Sequence, residues 1–289
     1  MDVSPDAVIE TFEAATEENR LSSTRHGQVT TLPDTGEVWM TGDLHDHRAN
    51  FRKLVAAADL GNNPDRHLIL HELIHGEHVD ATGAEHSWWM LWQAAELKCD
   101  FPEQVHFLFA NHDLAQIHGE GIMKAGQSVC EAFNKGVKAD FGDKRGMAQV
   151  AMTEFLLSLP LAVRCPNGLF FCHSLPSGEQ IDGFDYDVFE REELTSSDYT
   201  RRTGPVYQLI WGRNQPPEAA AAFADRVEAG IVVTGHQPQD TGHGVNGERH
   251  LILASDHNQG VFLPLKLDET YTMKQLVGRL KKFIAVEAW

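Results

Sequence analysis

Five times along this chain a short apolar run stops abruptly at a residue able to hold a metal. Residues 38–40, Val-Trp-Met, lead through Thr41 and Gly42 to Asp43 and His45. Residues 67–70 end in His71 and Glu72, and residues 105–110 in Asn111, His112 and Asp113. Residues 169–172 end in His173, and residues 231–234 in Gly235 and His236. Apolar runs of this length, bounded by turn residues, read as buried strands. Residues 48–60, 85–98, 147–159 and 218–229 lie between them and read as helices. Strands alternating with helices predict a layered α/β architecture, whose sites collect beyond the C-terminal strand ends.

The length of 289 residues with 42% hydrophobic content supplies a large core. The expectation is a single domain over residues 1–289. Residues 1–35 form an N-terminal helical extension in this reading, and residues 114–146, less regular and Gly- and Lys-bearing, an insertion near the site. Residues 28–32 and 37–40 read as a strand pair, joined by the turn-forming Pro33-Asp34-Thr35-Gly36.

The net charge of −18, from 42 acidic against 24 basic residues, disfavours nucleic acid and anionic membrane as general partners. Local cations in a cleft still allow a phosphorylated substrate. The cysteines, Cys99, Cys130, Cys165 and Cys172, form no C-x-x-C pair, so neither a zinc knuckle nor a disulfide scaffold is indicated. The acidic first residues lack the apolar segment of a secretory signal, and no apolar run reaches bilayer-spanning length. The expectation is a soluble protein of the cytoplasm.

Asp43 and His45 lie two apart on extended backbone and can face the same side. A carboxylate and an imidazole placed together suit Zn, Mn or Fe. A competing pattern is His71-Glu72-Leu73-Ile74-His75, a literal H-E-x-x-H. On a helix it would make a zinc metallopeptidase, with Glu72 as base and His71 and His75 as ligands. Gly76, directly after it, argues against such a helix, and a strand ending near Leu70 would exclude it. A further alternative is a phosphatase-like protein that binds without turnover.

In order, the blocks GDLHDH, HELIHG, ANHD, CHS and TGHQ resemble those of the calcineurin-like metallophosphoesterases. The layout is most similar to the phosphoprotein (serine/threonine) phosphatase branch and its bacterial relatives. The resemblance implies a β-sandwich flanked by helices. It implies two divalent transition-metal ions (Mn, Zn or Fe), one held by Asp43, His45 and Glu72, the other by Glu72, Asn111, His173 and His236. A hydroxide shared by the ions would attack the phosphorus of a phosphorylated protein or small molecule. His112 would protonate the leaving oxygen, with Asp113 orienting it, and Arg213 and Arg48 would grip phosphate. The chain departs from the family at four points. Glu72 stands for an Asp, Asp46 for a Gly, His75 for the Asp that orients the catalytic His, and Gly76 for a phosphate-gripping Arg.

Overall fold

The computed structural model describes residues 3–119, 122–124 and 126–286. Two sheets carry the architecture. One has seven strands, in the order Arg25–His26, Val29–Thr31, Ala162–Arg164, Leu169–Cys172, Ile231–Thr234, His250–Leu253 and His243–Asn246. The other has five, in the order Lys281–Lys282, Val261–Lys266, Glu37–Thr41, Arg66–His71 and Val105–Leu108.

The alternation of strand side chains explains how the layers stack. Val38, Met40, Ile69 and Leu108 of the smaller sheet join Leu169, Phe171, Ile231, Val233, Leu251 and Leu253 of the larger one in a single apolar cluster. Their neighbours of opposite parity, Leu68, Leu70, Phe170, Cys172 and Val232, point the other way, into a second cluster with the helices. Parallel strands buried on both faces must be apolar throughout, which is why these runs show no polar alternation. The three strands Glu37–Thr41, Arg66–His71 and Val105–Leu108 are mutually parallel, as are Leu169–Cys172 and Ile231–Thr234. Asp43, His45, Glu72, Asn111, His173 and His236 all follow the C-terminal ends of these strands.

Two expectations are corrected, and the competing H-E-x-x-H pattern is decided. Residues 28–32 and 37–40 do not form a hairpin. The Val29–Thr31 strand pairs in parallel with Ala162–Arg164 in the larger sheet, while Glu37–Thr41 lies in the smaller one. Residues 33–36 therefore connect two sheets, and their turn composition serves that crossing equally well. Residues 114–146 are mostly regular. The helix Asn111–His118 is followed by a short pairing of Met123–Lys124 with Gln127–Ser128 and by the helix Val129–Phe141. Residues 120, 121 and 125 of that stretch lie outside the described residues. The literal H-E-x-x-H is not helical, because Arg66–His71 is a strand inside the smaller sheet, paired on both sides. His71 and His75 are thus not one helical turn apart on a common face, and the peptidase reading falls.

The helix Pro5–Leu21 starts at Ser4, whose hydroxyl accepts from the Ala7 amide. Its buried face, Val8, Ile9, Phe12 and Ala15, enters the same cluster as the helix Arg145–Leu157. The Phe12 ring centroid lies 5.5 Å from that of Phe155. Among the described residues, no helix is long and apolar enough to cross a membrane.

Phe12 is completely buried, so Phe12→Ala removes a whole ring from a packed layer. It should cost about 3–5 kcal/mol of unfolding free energy, measured by urea titration. A loss below about 1 kcal/mol would show that this helix is a peripheral attachment.

Candidate metal centre

Three of the five strand ends place their side chains through an unusual local backbone. His45, Asp46, Glu72, His75 and His236 all have positive φ, at 40°, 54°, 51°, 64° and 65°. Left-handed backbone at a non-glycine residue costs of order 1–3 kcal/mol and persists where its surroundings over-determine it. Here the constraint is a set of hydrogen bonds between adjacent strand ends. The His45 amide donates to the Glu72 carbonyl at 2.8 Å, and the Asp46 amide to that of Leu73 at 3.0 Å. The His236 amide donates to Asp43 Oδ1 at 2.8 Å, across the seam between the two sheets. Gly235 must lack a side chain, because a Cβ there would meet Asp43 Oδ1 at 2.3 Å and His71 Cε1 at 2.5 Å.

The tightest convergence involves four side chains. His173 Nε2 lies 2.8 Å from Asn111 Oδ1, 3.1 Å from His236 Nδ1 and 3.1 Å from Glu72 Oε2. His236 Nδ1 lies 2.9 Å from Asn111 Oδ1. Donors bonded to one ion at roughly 2.0–2.2 Å stand about 3 Å from one another. Glu72 Oε2 is fully buried and has no hydrogen-bond partner among the described residues. An orphaned carboxylate oxygen among imidazole nitrogens and an amide oxygen is what a cation would satisfy, so these residues fit a divalent metal. Burial keeps the His173, His236 and His112 imidazoles well below their usual range, hence neutral and able to act as lone-pair donors. Burial raises Glu72 well above the usual carboxylate range, and the charges of Asp43 and Asp113 add to this.

The remaining expected ligands are divided. Asp43 groups with His71 and His173, whereas His45 groups with Glu72 and His112. Asp43 and His45 therefore do not form a trio with Glu72 among the described residues. Glu72 itself is shared between the His45–His112 group and the His173–His236 group. His45 Nδ1 faces the Ile74 carbonyl at 2.9 Å, which leaves its Nε2 for the site.

His112 begins the helix Asn111–His118, and its amide donates to Glu72 Oε1 at 3.1 Å. Asp113 does not orient the His112 ring. Its carboxylate caps the helix by accepting from the Ala110 amide at 2.9 Å, the use the N3 position favours. The ring is met instead by His75, with the two Nδ1 atoms 2.9 Å apart. His71 makes the corresponding approach to His173 Nδ1, at 3.1 Å.

Of the two expected phosphate-gripping arginines, Arg213 is exposed, and its charge acts on both His236 and Asp43. Arg48 differs from expectation, because Nε is held by Asp46 at 2.9 Å and Nη2 by the His86 carbonyl at 3.0 Å. Its guanidinium also lies 5.1 Å from the centroid of Trp89. The fork is committed to protein, on the wall of a cleft of about 860 Å³ that His45, Asp46, His78, Asp140 and Asp256 also line. A cation that sequence reading missed is Lys124. Its Nζ donates to the His75 carbonyl at 3.2 Å, and its charge reaches Asp43, His45, Glu72, His75 and His112. No motif marks a lone lysine in a two-residue strand, so only the fold reveals it.

The comparisons agree with this geometry. Among solved structures, the chain is similar to a protein serine/threonine phosphatase from Saccharomyces cerevisiae with similarity to human phosphatase PP5. The TM-score is 0.71 at 14% identity, covering 99% of this chain and 91% of that one. It is also similar to a variant of a cold-active protein tyrosine phosphatase, with TM-score 0.56 at 14% identity over 86% of this chain and 81% of that one. The cold-active protein-tyrosine phosphatase of a psychrophilic Shewanella matches at TM-score 0.50 and 12% identity, over 87% and 80% of the two chains. No curated protein matches the sequence. At these identities the structural likeness establishes the fold. The family pattern described as calcineurin-like phosphoesterase matches residues 36–240, most of the chain and all five strand-end blocks. The protein belongs to the calcineurin-like phosphoesterase family and is a hydrolase of phosphoester bonds.

Proposed function

We propose that this chain is a metal-dependent phosphomonoesterase acting without a covalent enzyme intermediate. The observation that carries the reading is the buried convergence of Glu72, Asn111, His173 and His236 beside His112. In this reading these four would hold one divalent transition-metal ion, and Glu72 with His45 and Asp43 would supply donors for a second. Ions so held supply Lewis acidity that stabilises charge on phosphoryl oxygens and activates water.

The chain's own groups do the rest. Arg213 and Lys124 bind the phosphate oxygens, with Lys124 standing in for the family arginine replaced by Gly76. Its bond to the neighbouring His75 carbonyl places the ammonium beside that position. Glu72 Oε1 fixes the His112 backbone, and the His112 ring, having taken a proton from solvent onto Nε2 to become an imidazolium, gives that proton to the departing alkoxide. Burial disfavours the charged imidazolium, and the negative charge of a bound phosphate opposes that tendency. The structural neighbours are named as serine/threonine and tyrosine phosphatases, so phosphoserine, phosphothreonine and phosphotyrosine peptides belong in one assay with small phosphate esters. Phosphate release should require Mn, Zn or Fe. No release across that panel with any of the three would end the reading.

His112→Asn should keep its metal and lose about 10²–10⁴-fold in kcat on an alkyl phosphate. The loss should be much smaller on p-nitrophenyl phosphate, whose leaving group needs no proton. Equal losses would remove the proton-donor role, and loss of metal would make His112 a ligand.

Metal binding should strengthen with pH. Burial raises Asp43 and Glu72, so the metal-free folded protein retains carboxyl protons that the unfolded chain has already lost. A bound cation must displace those protons. The rise in Tm produced by Mn²⁺ should therefore grow between about pH 5 and pH 7.5. A rise that is constant or larger at the acid end would contradict these carboxylates as ligands.

A further inference from the structure

The H-E-x-x-H segment contributes Glu72 to the centre, which leaves its two histidines without an assigned task. Both are buried, and both press a ring nitrogen against an inner imidazole. The outward nitrogen of each has a partner that decides where the hydrogens lie. His71 Nε2 is 2.9 Å from the Thr41 carbonyl oxygen. A carbonyl only accepts, so this nitrogen carries the hydrogen, and in the neutral ring Nδ1 keeps its lone pair. The hydrogen between the facing Nδ1 atoms then belongs to His173. A cation held at its Nε2, which faces Asn111 Oδ1, Glu72 Oε2 and His236 Nδ1, requires this same tautomer; without the cation those acceptor oxygens would draw a hydrogen onto Nε2 instead.

The second pair repeats the device with a side-chain anchor. His75 Nε2 lies 3.0 Å from Gln116 Oε1. That amide is oriented by Asn134, whose Oδ1 accepts from Gln116 Nε2 at 3.0 Å and from Gln149 Nε2 at 3.1 Å. The outward hydrogen of His75 therefore goes to Gln116, its Nδ1 accepts, and the hydrogen between the pair sits on His112 Nδ1. His112 Nε2 is left for the side of the ring grouped with His45 and Glu72. The His75 backbone is pinned as well, its amide donating to Ser87 Oγ at 2.9 Å.

We propose that His71 and His75 are positioning residues. They set the tautomers of His173 and His112, making Nε2 of the first a metal donor and Nε2 of the second the proton-transfer atom. The proposal rests on the ligand and proton-donor assignments above. It gives the H-E-x-x-H segment a use unlike that in a peptidase: the carboxylate enters the centre and the two histidines stand behind it. Neutral His75 also does this work without the negative charge of the carboxylate that the sequence resemblance leads one to expect.

Imidazole ¹⁵N shifts of the Zn²⁺-loaded protein test it directly. His173 and His112 should be Nδ1–H tautomers, and His71 and His75 Nε2–H tautomers. Paired variants add a functional readout, because asparagine places an oxygen acceptor where Nδ1 stood and leucine does not. His71→Leu should weaken Zn²⁺ binding by about 10–100-fold, and His71→Asn should recover most of it. His75→Leu should lower kcat on an alkyl phosphate by about 10–100-fold with KM and metal content little changed, and His75→Asn should recover most of it. An Nε2–H tautomer at His173 or His112, or equal losses in the leucine and asparagine variants, would overturn the proposal. The tautomers are read in the Zn²⁺-loaded wild type without turnover. Expected tautomers in a protein that releases no phosphate would sink the functional reading alone. Phosphate release with the opposite tautomers would sink this one alone.

Discussion

A buried carboxylate facing buried lone pairs is the interaction on which this structure depends. Glu72 Oε2 lies 3.1 Å from the His173 ring nitrogen and has no hydrogen-bond partner among the described residues, at the meeting point of several strand ends. Isolated in an apolar interior, such a charge would be costly, and the group would take up a proton instead. The surrounding fold is shaped to keep it there. Left-handed backbone at His45, Glu72 and His236 turns side chains inward that an extended continuation would send elsewhere. The amides of His45, Asp46 and His236 then lock those turns to neighbouring strand ends. The local strain is held by a rigid sandwich, and its return is an array of donors preorganised for a cation.

The sequence was most readable where one physical rule dominated. The apolar runs at 67–70, 169–172 and 231–234 had to be buried strands, and the ligand-type residues that end them had to gather where parallel strands finish. Partner choice was not readable. Pro33-Asp34-Thr35-Gly36 has hairpin chemistry, but a turn cannot state whether the chain returns to the same sheet, and the pairing of Val29–Thr31 with Ala162–Arg164 is decided by contacts far along the chain. Asp113 was misread for a similar reason. Its place beside His112 suggested support for that ring, whereas helix position N3 directs the carboxylate back to Ala110. Lys124 and the Gln116–Asn134–Gln149 amides have no sequence signature at all, since their meaning lies entirely in what the fold sets beside them.

Two departures from the family pattern turn out to be neighbours. Asp46 occupies a position that is glycine in the family, and Gly76 one that is arginine. A Cβ at Gly76 would come within 2.7 Å of Asp46 Cβ. The larger residue on one loop thus fits only because the other has none. Asp46 in turn engages Arg48 through the guanidinium Nε. Lys124, on another segment, brings a cation next to residue 76, which is the place the proposed function gives it.

The donors come from both sheets: Asp43, Glu72 and Asn111 from one, His173 and His236 from the other. Their spacing is therefore set by the thickness of the apolar layer between the sheets, where Met40, Ile69, Phe171 and Val233 interdigitate. Facing sheets sit about 10 Å apart, and single methylenes at such an interface are felt. The interior of the sandwich works as a spacer gauge. Evolution or engineering could widen or narrow the grip on a cation by changing side-chain volume in a layer that neither substrate nor solvent ever touches.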